Sequence, residues 1–529
     1  MPMARWPLLL LCALSGTRYA MPAGAAAPPE RGAVIFQTDF ESPDALRPWR
    51  GEARLDAGLS GGRAMYVERD AASKTPAAMV SIPLPADSMR GCRVYVSAMV
   101  KAQDVSAPPR SWNGIKLMLA IEAPSGRRWP QAEISAGTFD WRKAAMSPLI
   151  PPDATAVTLF LGLEQVTGRA WFDDVKVTVS RPPPAPATRP AGGPMYRGHE
   201  LPRLRGAMVS PNIDDAGLRV LGEQWNANVI RWQLIRHARP GEPGTLHDYD
   251  EWLEKELAKL DAAAASCRKY GMYIVVDLHS PPGGKATASW YIGSDHKLFT
   301  DRACQDKFVD VWKRIALRYR DNPVIWGYDL ANEPVETLVE EDCDDWHALA
   351  TRAARAIRQI DPRRTIIVEP PDWGGPAALS TFHPIDVPNV VYSVHMYIPF
   401  HFTHQGIHGI DKPAVYPGMI DNRVWDRSAL EEALRPVVEF QKRYGVHIYI
   451  GEFSAIRWAP DNSACRYLKD VIDIFESQGW DWTYHAFREW HGWSVEHTED
   501  RDDNKPATRP TDRQKLLREW FSRNRKPSW

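Results

Sequence analysis

Two glutamates lie where apolar, strand-like segments end, and carboxyl groups in such places can do acid, base or nucleophilic chemistry. Glu333 follows the segment around 326–328, and Glu452 follows 448–450. Burial at the end of a strand raises the pKa of a carboxyl group toward the range in which it acts as an acid at neutral pH. A pair of such carboxyl groups is the set that cleaves glycosidic bonds. The two glutamates together therefore predict a carbohydrate-cleaving site.

The elements that must position this pair alternate between strand and helix patterns over residues 201–529. Candidate strands begin near Leu204, Asn228, Tyr273, Val324, Thr365, Val390, His447 and Asp481. Helical stripes of apolar residues lie between them. About eight such units predict an α/β fold, a (β/α)8 TIM barrel. Barrel active sites lie at the C-terminal strand ends, so Glu333 on the fourth strand and Glu452 on the seventh should meet there, about 5 to 5.5 Å apart.

The region before residue 180 has another pattern. Short apolar or alternating runs recur between turn residues, at 33–36, 94–100, 115–121 and 156–161, without helical periodicity. This predicts an all-β sandwich over residues 28–180. The segment 170–177 resembles the last strand of jelly-roll carbohydrate-binding modules, which implies jelly-roll topology.

A chain of 529 residues is too long for one hydrophobic core, so two domains are expected. Proline is dense over residues 181–194, and we place a stiff linker at 181–200 between the sandwich and the barrel domain of 201–529.

Residues 1–27 have the pattern of a cleavable signal peptide. Arg5 precedes an apolar run at 6–14, and small residues follow at 23–27. The run is too short for a permanent membrane span, and no later stretch is apolar enough to cross a membrane. We therefore expect a secreted or periplasmic protein without a membrane partner.

The net charge of −1 gives no electrostatic footprint for nucleic acid and favours a neutral partner. The 22 tryptophans include flat apolar faces of the kind that suit sugar rings, although most should be core residues. The expected partner is a β-linked polysaccharide or oligosaccharide, and we expect a monomer.

The motifs Asn332-Glu333-Pro334 and Gly451-Glu452-Phe453 resemble those of clan A glycoside hydrolases, specifically family 5, the cellulase family. The resemblance runs from about Leu201 to Phe521. It implies that Glu333 is the general acid/base and Glu452 the nucleophile of a double displacement.

The same resemblance assigns substrate-side roles to residues at other strand ends. Asn332 would bond the sugar 2-hydroxyl, and Arg231 would keep the nucleophile ionised. His279, His395 and Tyr397 match substrate-binding positions, and the tyrosine hydroxyl could support the nucleophile. His279 and His395 could instead be satisfied core histidines, and Arg231 could merely tie strand ends together.

Four other carboxylates near strand ends are alternative candidates for the site: Asp277, Asp329, Glu369 and Glu489. We expect structural roles for the two aspartates, whereas Glu369 could bind substrate.

The chain departs from the family at the eighth strand, where a tryptophan platform is usual. A simple register puts His485 or Phe487 there. We choose Trp490 beyond the strand as the platform, with a packing role as the alternative.

In the N-terminal domain, Trp112, Trp129 and Trp141 lie in loops or at strand edges and could stack on glycan. Binding of sugar by this domain stays open, because the motif that suggests it is structural.

Five cysteines remain after residue 27, without metal-binding spacing. Cys304 and Cys343 open the helices that follow two successive strands, so they could lie close together, and we predict a disulfide between them. Histidines of the loop 396–427 lack a carboxylate or cysteine that would complete a ligand set, so no metal and no cofactor are expected.

The sequence therefore predicts a secreted retaining β-glycosidase, an endo-β-1,4-glucanase. A β-mannanase or an exo-β-glucosidase of the same family is the alternative. A non-catalytic polysaccharide-binding protein is the alternative of another class.

Overall fold

The computed structural model of the chain describes residues 29–184, 195–236, 246–284 and 297–529. The predicted signal peptide and residues 185–194 of the predicted linker lie outside the described residues. Within the described ranges, no helix combines the length and apolar character that a bilayer crossing needs.

Residues 34–181 form two antiparallel sheets around one apolar core. In chain order the elements are β1 (Val34–Thr38), β2 (Arg54–Ala57), β3 (Arg63–Arg69), β4 (Ala77–Leu84), α1 (Ala86–Met89), β5 (Arg93–Val105), β6 (Gly114–Glu122), β7 (Gly137–Met146), β8 (Ala156–Glu164) and β9 (Gly168–Arg181). One sheet has the order β4-β8-β6, and the other has β2-β3-β9-β5-β7 with β1 beside β9. Leu159 of β8 and Val177 of β9 are wholly buried in the shared core. The predicted sandwich is confirmed, and its jelly-roll topology stays a prediction.

Residues 205–487 contain a closed barrel of parallel strands. In chain order the elements are β10 (Arg205–Val209), α2 (Asp215–Arg219), β11 (Val229–Gln233), α3 (Tyr249–Tyr270), β12 (Tyr273–Asp277), α4 (Arg302–Tyr319), β13 (Ile325–Asp329), α5 (Trp346–Ile360), β14 (Thr365–Val368), β15 (Val390–Met396), α6 (Phe400–Thr403), β16 (Gly418–Ile420), β17 (Arg423–Trp425), α7 (Arg427–Tyr444), β18 (Ile448–Phe453), α8 (Ser463–Gln478), β19 (Asp481–Phe487) and α9 (Asp512–Phe521). Pairing of β19 with β10 closes the ring, and β16 and β17 form a separate hairpin. Each barrel strand begins within one residue of its predicted start, which confirms the (β/α)8 prediction.

Local chemistry explains why helices stop where barrel strands follow. α3 ends at Gly271 and α7 ends at Gly445, with φ of +69° and +65°. Glycine adopts this left-handed conformation without a Cβ penalty, so it closes the last helical turn and turns the chain into the next strand. Strands β11 and β13 are buried along their whole length, as strands of a parallel barrel are, although β11 contains Arg231 and Gln233 and β13 ends in Asp329.

Contacts with the barrel begin before residue 201. The Tyr196 hydroxyl lies 3.1 Å from Thr365 Oγ1, and Trp326 Nε1 donates to the carbonyl of Arg197 at 3.0 Å. The end of the predicted linker therefore packs against the N-terminal face of the barrel. The domain boundaries themselves stay a prediction.

The predicted disulfide between Cys304 and Cys343 is not formed in the structure, where Cys343 carries a buried thiol. The two segments are adjacent, because the side chain of Gln305 bonds both the backbone N–H and the carbonyl of Asp344, at 2.9 and 2.7 Å. Cys304, however, packs against Gly283, where an added Cβ would lie 2.9 Å from the cysteine sulfur. Its side chain is therefore directed to the β12–α4 connection and not to Cys343.

Candidate active site

Glu333 and Glu452 meet at the C-terminal end of the barrel, beside His395. One carboxylate oxygen of each glutamate and a ring nitrogen of His395 all lie within 4.8 Å of one another. His395 Nδ1 is 2.9 Å from Glu333 Oε1 and 3.7 Å from Glu452 Oε2. The Glu333 side chain is 18% exposed and the Glu452 side chain 5%. The site thus pairs a more open carboxyl group with a nearly enclosed one.

Arg231 of β11 is wholly buried among carboxylates. Its Nη1 donates to Glu452 Oε1 at 2.6 Å, and its Nε donates to Asp329 Oδ2 at 3.0 Å. Its Nη2 lies within 3.1 Å of oxygen atoms on three further residues: Asp277, Asn332 and Glu369. One guanidinium therefore serves four carboxyl groups, and those groups must share positive charge or take up protons.

Asp329 is held closer to its protonated form than an ordinary aspartate, because its pKa is raised. Burial and the negative charges of Glu369 and Asp277 raise its pKa well above the usual value, although Arg231 acts in the opposite direction. Protonation of Asp329 would reduce the repulsion inside the cluster. The structural role expected for Asp329 stays a prediction.

Glu452 has the opposite shift. Burial alone would raise its pKa, but the positive charges of His395, His485 and Arg231 outweigh burial and lower the pKa well below the usual value. The expectation that strand-end burial raises the carboxyl pKa is therefore wrong for Glu452. An ionised carboxylate is the form that attacks as a nucleophile.

A second hydrogen-bonded chain reaches Glu452 from β15 and β19. The Tyr397 hydroxyl donates to Glu452 Oε2 at 2.8 Å and lies 2.5 Å from His485 Nδ1. His485 Nε2 lies 3.1 Å from Glu489 Oε2. Burial would lower the pKa of His485, but Glu452 and Glu489 outweigh it and raise that pKa. A protonated His485 can donate hydrogen bonds to both Tyr397 and Glu489. This series of hydrogen bonds therefore places a positive charge close to Glu452.

His279 and Asn332 form a third arm of the site. Asn332 Oδ1 accepts from Arg231, so its amide nitrogen is the atom that lies 3.3 Å from His279 Nε2. An amide N–H can only donate, which leaves the proton of a neutral His279 on Nδ1, 2.7 Å from Asp277 Oδ2. Both predicted substrate-side residues are thus held in fixed orientations.

Glu369 of the β14 end is a buried hub and not a cleft residue, contrary to the expectation that it could bind substrate. It is wholly buried, accepts from Arg231, and accepts the backbone N–H of Glu333 at 2.8 Å. Glu333 has φ of +47°, a conformation that non-glycine residues adopt only when their surroundings hold them. Glu369 therefore fixes the backbone from which the Glu333 side chain extends.

The connection after β14 approaches this hub closely. Asp372, Trp373 and Gly374 all have positive φ, and an added Cβ on Gly374 would lie 2.6 Å from Glu369 Oε2. Trp373 is one of the exposed large side chains and lies at the catalytic end of the barrel. The sequence around Trp373 gives no local signal that distinguishes it from a surface tryptophan.

Trp490 lies beyond β19, outside the contacts that join the catalytic side chains. Its ring is 5.9 Å from that of Trp458 and 5.7 Å from that of Trp493. Trp493 is nearer the site, because its ring lies 6.1 Å from that of Tyr397 and 5.7 Å from that of His485. Substrate binding by Trp490 stays a prediction.

The three tryptophans of the sandwich have different surroundings. Trp112 and Trp129 are more than half exposed. Trp112 precedes β6, and Trp129 lies in the segment that bridges to β6. Trp141 packs with Tyr66 and Trp171 at the other sheet. Trp112 and Trp129 therefore expose much of their rings along one sheet edge, although the guanidinium of Arg110 lies over the Trp112 ring, 5.1 Å from its centre.

Two groups among the described residues bring potential metal ligands together: Glu333, His395 and Glu452, and His199, His447 and Asp481. In the second group, both imidazoles lie 2.7 Å or less from one Asp481 oxygen. These are direct hydrogen-bond distances, shorter than two metal bonds at a tetrahedral angle would give. In the first group, burial acts to lower the pKa of His395, but the neighbouring carboxylates outweigh it and hold that pKa well above the usual value, so protons compete strongly with any metal for the imidazole.

Comparisons with known proteins match the barrel region. A family model described as cellulase, glycosyl hydrolase family 5, matches residues 197–490. Endoglucanase C of Acetivibrio thermocellus is 29% identical over 265 residues, which cover 44% of this chain and 74% of that protein. Cellodextrinase A of Ruminococcus flavefaciens is 26% identical over 234 residues, covering 43% and 66%. A crystal structure of a mutant form of Thermotoga maritima Cel5A with cellobiose has 26% identity and a TM-score of 0.46, covering 60% of this chain and 96% of that chain.

Proposed function

This chain belongs to glycosyl hydrolase family 5, the cellulase family, and on that premise we propose that it is a retaining enzyme that cuts β-1,4-linked glucan inside the polymer. The observation that carries the proposal is the approach of a Glu333 oxygen and a Glu452 oxygen to within 4.8 Å. Retaining enzymes hold their carboxyl groups about 5 to 5.5 Å apart, whereas inverting enzymes need about 6.5 to 9.5 Å for a water molecule. The short spacing favours a covalent intermediate.

In the first step, a carboxylate oxygen of Glu452 attacks the anomeric carbon while the glycosidic C–O bond breaks. Glu333 gives its proton to the departing oxygen, so the leaving sugar is released as a neutral alcohol. In the second step, Glu333 takes a proton from water, and the hydroxide adds to the anomeric carbon as the bond to Glu452 breaks. Both glutamates return to their starting states.

The surroundings of the two glutamates support this division of roles. Arg231, Tyr397 and His485 all direct positive charge or a donor at Glu452, which suits a group that must be ionised before it attacks. Glu333 is the more exposed of the pair, which suits a group that exchanges protons with water.

The remaining residues of the cleft are assigned to substrate. Asn332 would bond the 2-hydroxyl of the sugar at the cleavage point, a contact that strengthens in the transition state. His279 would bind a neighbouring hydroxyl of the sugar, and Trp490 would form one wall of the substrate cleft. The predicted signal peptide implies export, so the enzyme would act on glucan outside the cytoplasm.

Anomeric stereochemistry and leaving-group dependence test the mechanism. Proton NMR of early products should show retention of the β configuration. Glu333→Ala should lose most activity on natural substrate yet still be glycosylated by an activated glycosyl fluoride. Glu452→Ala should be inactive on both, and azide should restore turnover with an α-configured glycosyl azide as product. Inversion by the wild type, or equal loss by Glu333→Ala on both substrates, would reject the assignment.

Glycan identity is tested separately, on soluble glucan, mannan, xylan and aryl glycosides with analysis of product lengths. The proposal expects mixed oligosaccharides from β-1,4-glucan at early times. Release of monosaccharide alone would indicate exo action, and preference for mannan would indicate the mannanase alternative. Binding without turnover of any substrate would favour a non-catalytic polysaccharide-binding protein.

A further inference from the structure

The loop of residues 334–345 begins directly after Glu333 and ends at α5, and it lies against the β-sandwich. The carboxylates of five of its residues accept hydrogen bonds from side chains of the sandwich or of the residues just before it: Glu336, Glu340, Glu341, Asp344 and Asp345. This contact joins parts of the chain that are more than 150 residues apart. The sandwich and the catalytic loop therefore share an interface.

At the centre of this interface, Arg93 of β5 bonds both ends of the loop. Its guanidinium contacts Glu336, three residues after Glu333, and Asp345, which caps the first turn of α5. These side chains are only 10%, 8% and 2% exposed, respectively. Arg181 at the end of β9 adds a second contact to Asp345. Two arginines of the sandwich thus face two carboxyl groups of the loop away from water, although at Glu336 burial outweighs Arg93 and raises the pKa of that carboxyl group.

Among the described residues, both carboxyl groups form their ion pairs with Arg93 and Arg181 of the sandwich. For Asp345, burial opposes ionisation, but Arg181 and Arg93 outweigh it and lower the pKa. Removing one member of such a buried ionic group leaves the other charges without a partner, which is far more disruptive than the loss of a surface pair. The loop therefore depends on the sandwich for its charge balance.

The sandwich also satisfies polar groups in the middle of the loop. Ser147 Oγ accepts the backbone N–H of Val339 at 2.7 Å, and the Tyr95 hydroxyl donates to Glu340 at 2.6 Å. Val339 itself is buried in the apolar core of the barrel. The loop is therefore fixed between the two domains along its length.

The far end of the loop returns to the catalytic hub. Glu336 Oε1 accepts the backbone N–H of Trp346, and Trp346 Nε1 donates to the carbonyl of Glu369 at 2.7 Å. Glu369 in turn accepts the backbone N–H of Glu333. Arg93, Glu336, Trp346 and Glu369 thus form a continuous path from the sandwich to the backbone of Glu333.

We propose that the β-sandwich is a positioning part of the catalytic site, which orients Glu333 by holding the 334–345 loop through Arg93. The proposal rests on the acid/base role proposed for Glu333. It differs from the role of an independent binding module, which would assist only attack on polymer. A positioning role affects small soluble substrates too, and it affects most strongly the steps that need proton transfer.

The test compares Arg93→Met with Lys176→Met on aryl β-cellobiosides. Lys176 also faces the loop, but its contact with Glu341 spans 3.8 Å between exposed side chains, so it is a matched control. Arg93→Met should lower kcat/KM about tenfold or more with phenol as leaving group, which needs protonation, and less than about threefold with 2,4-dinitrophenol, which does not. Lys176→Met should match the wild type on both.

Other outcomes overturn the proposal. Equal loss on both substrates would show general damage, and loss confined to insoluble glucan would show a binding module. Glu333→Ala is measured in parallel: if it shows no leaving-group dependence, the role of Glu333 fails and not only the positioning. Ser147→Ala removes the sandwich hydroxyl that accepts the backbone N–H of Val339, and it disrupts the interface less than Arg93→Met does. It should give the same selectivity in smaller measure, and unchanged leaving-group dependence in a folded Ser147→Ala protein would count against the proposal.

Discussion

Arg231 Nη1 lies 2.6 Å from Glu452 Oε1, and both side chains are enclosed at the end of the barrel. The contact joins β11 to β18, so the nucleophile proposed for this enzyme is held from across the ring. The same guanidinium reaches Asp277, Asp329 and Glu369. One cation therefore contacts four carboxyl groups at the end of the barrel.

Arg231→Met should destabilise the protein and remove activity. The substitution keeps the length of the side chain but leaves a group of buried carboxyl groups without its main cation, which costs about 3 to 5 kcal/mol. Urea unfolding with and without the substitution measures the loss. Arg54→Met, which breaks an exposed pair with Glu68 on the sandwich, is the control and should change stability by less than about 1 kcal/mol. Equal stability of Arg231→Met and wild type would contradict the hub role.

His485→Gln should move the acid limb of the pH–rate profile to higher pH. The positive charge of His485 is one of those that lower the pKa of Glu452, and glutamine has no such charge. The pKa of Glu452 then rises, so the carboxylate is protonated, and activity is lost, at a higher pH than in the wild type. Profiles of kcat/KM against pH measure this. His401→Gln, an exposed histidine paired with Asp421, should leave the limb in place; a shift in the opposite direction for His485→Gln would exclude the charge argument.

Gly374→Ala should impair catalysis through Glu369. An added methyl group would lie 2.6 Å from Glu369 Oε2, the atom that holds the Glu333 backbone. Displacement of that carboxylate should lower kcat by about tenfold or more, because misplaced catalytic groups lose much of their effect. Gly409→Ala is the control for backbone strain. Gly409 also has a positive φ, of +75°, but an added Cβ there would meet no atom within 4 Å. If both alanine variants lose activity equally, backbone strain and not Glu369 is the cause.

Trp112→Ala and Trp129→Ala should weaken binding of the protein to insoluble glucan. Both rings are exposed, and stacking of a sugar on an aromatic face is lost with the ring. Activity on soluble aryl cellobiosides should not change, which separates this effect from the positioning role of Arg93. Pull-down on insoluble glucan measures binding, and Trp373→Ala is the comparison for an exposed tryptophan on the barrel. If a variant that carries both substitutions binds insoluble glucan as well as the wild type does, the sandwich edge is not a glycan-binding surface.

Much of the barrel and of its catalytic end could be predicted from sequence because the signals are local. Continuous apolar runs mark strands buried on both faces, and the glycines after α3 and α7 mark the turns between helix and strand. Glu333 and Glu452 are predictable because each follows such a run. Barrel topology then places strand ends together, whatever the separation in sequence.

Other features depended on contacts that no local pattern encodes. The contact of His485 with Tyr397, and of Glu489 with His485, exists only in the folded barrel. Likewise, the hydrogen bond that Glu369 accepts from the Glu333 backbone is visible only in the tertiary structure. The predicted Cys304–Cys343 bridge is not formed because Cys304 packs against Gly283, although the two segments are neighbours.

The sequence alone determined that a parallel barrel would carry two strand-end glutamates behind an all-β domain, because apolar periodicity and motif residues act within a few positions of each other. The tertiary structure alone decided which charges share the site and how the domains are joined. The pKa of Glu452 is set by residues from several strands, and Arg93 reaches Glu336 across 243 positions. Such long-range electrostatics depend on distance in space, which the order of residues does not contain.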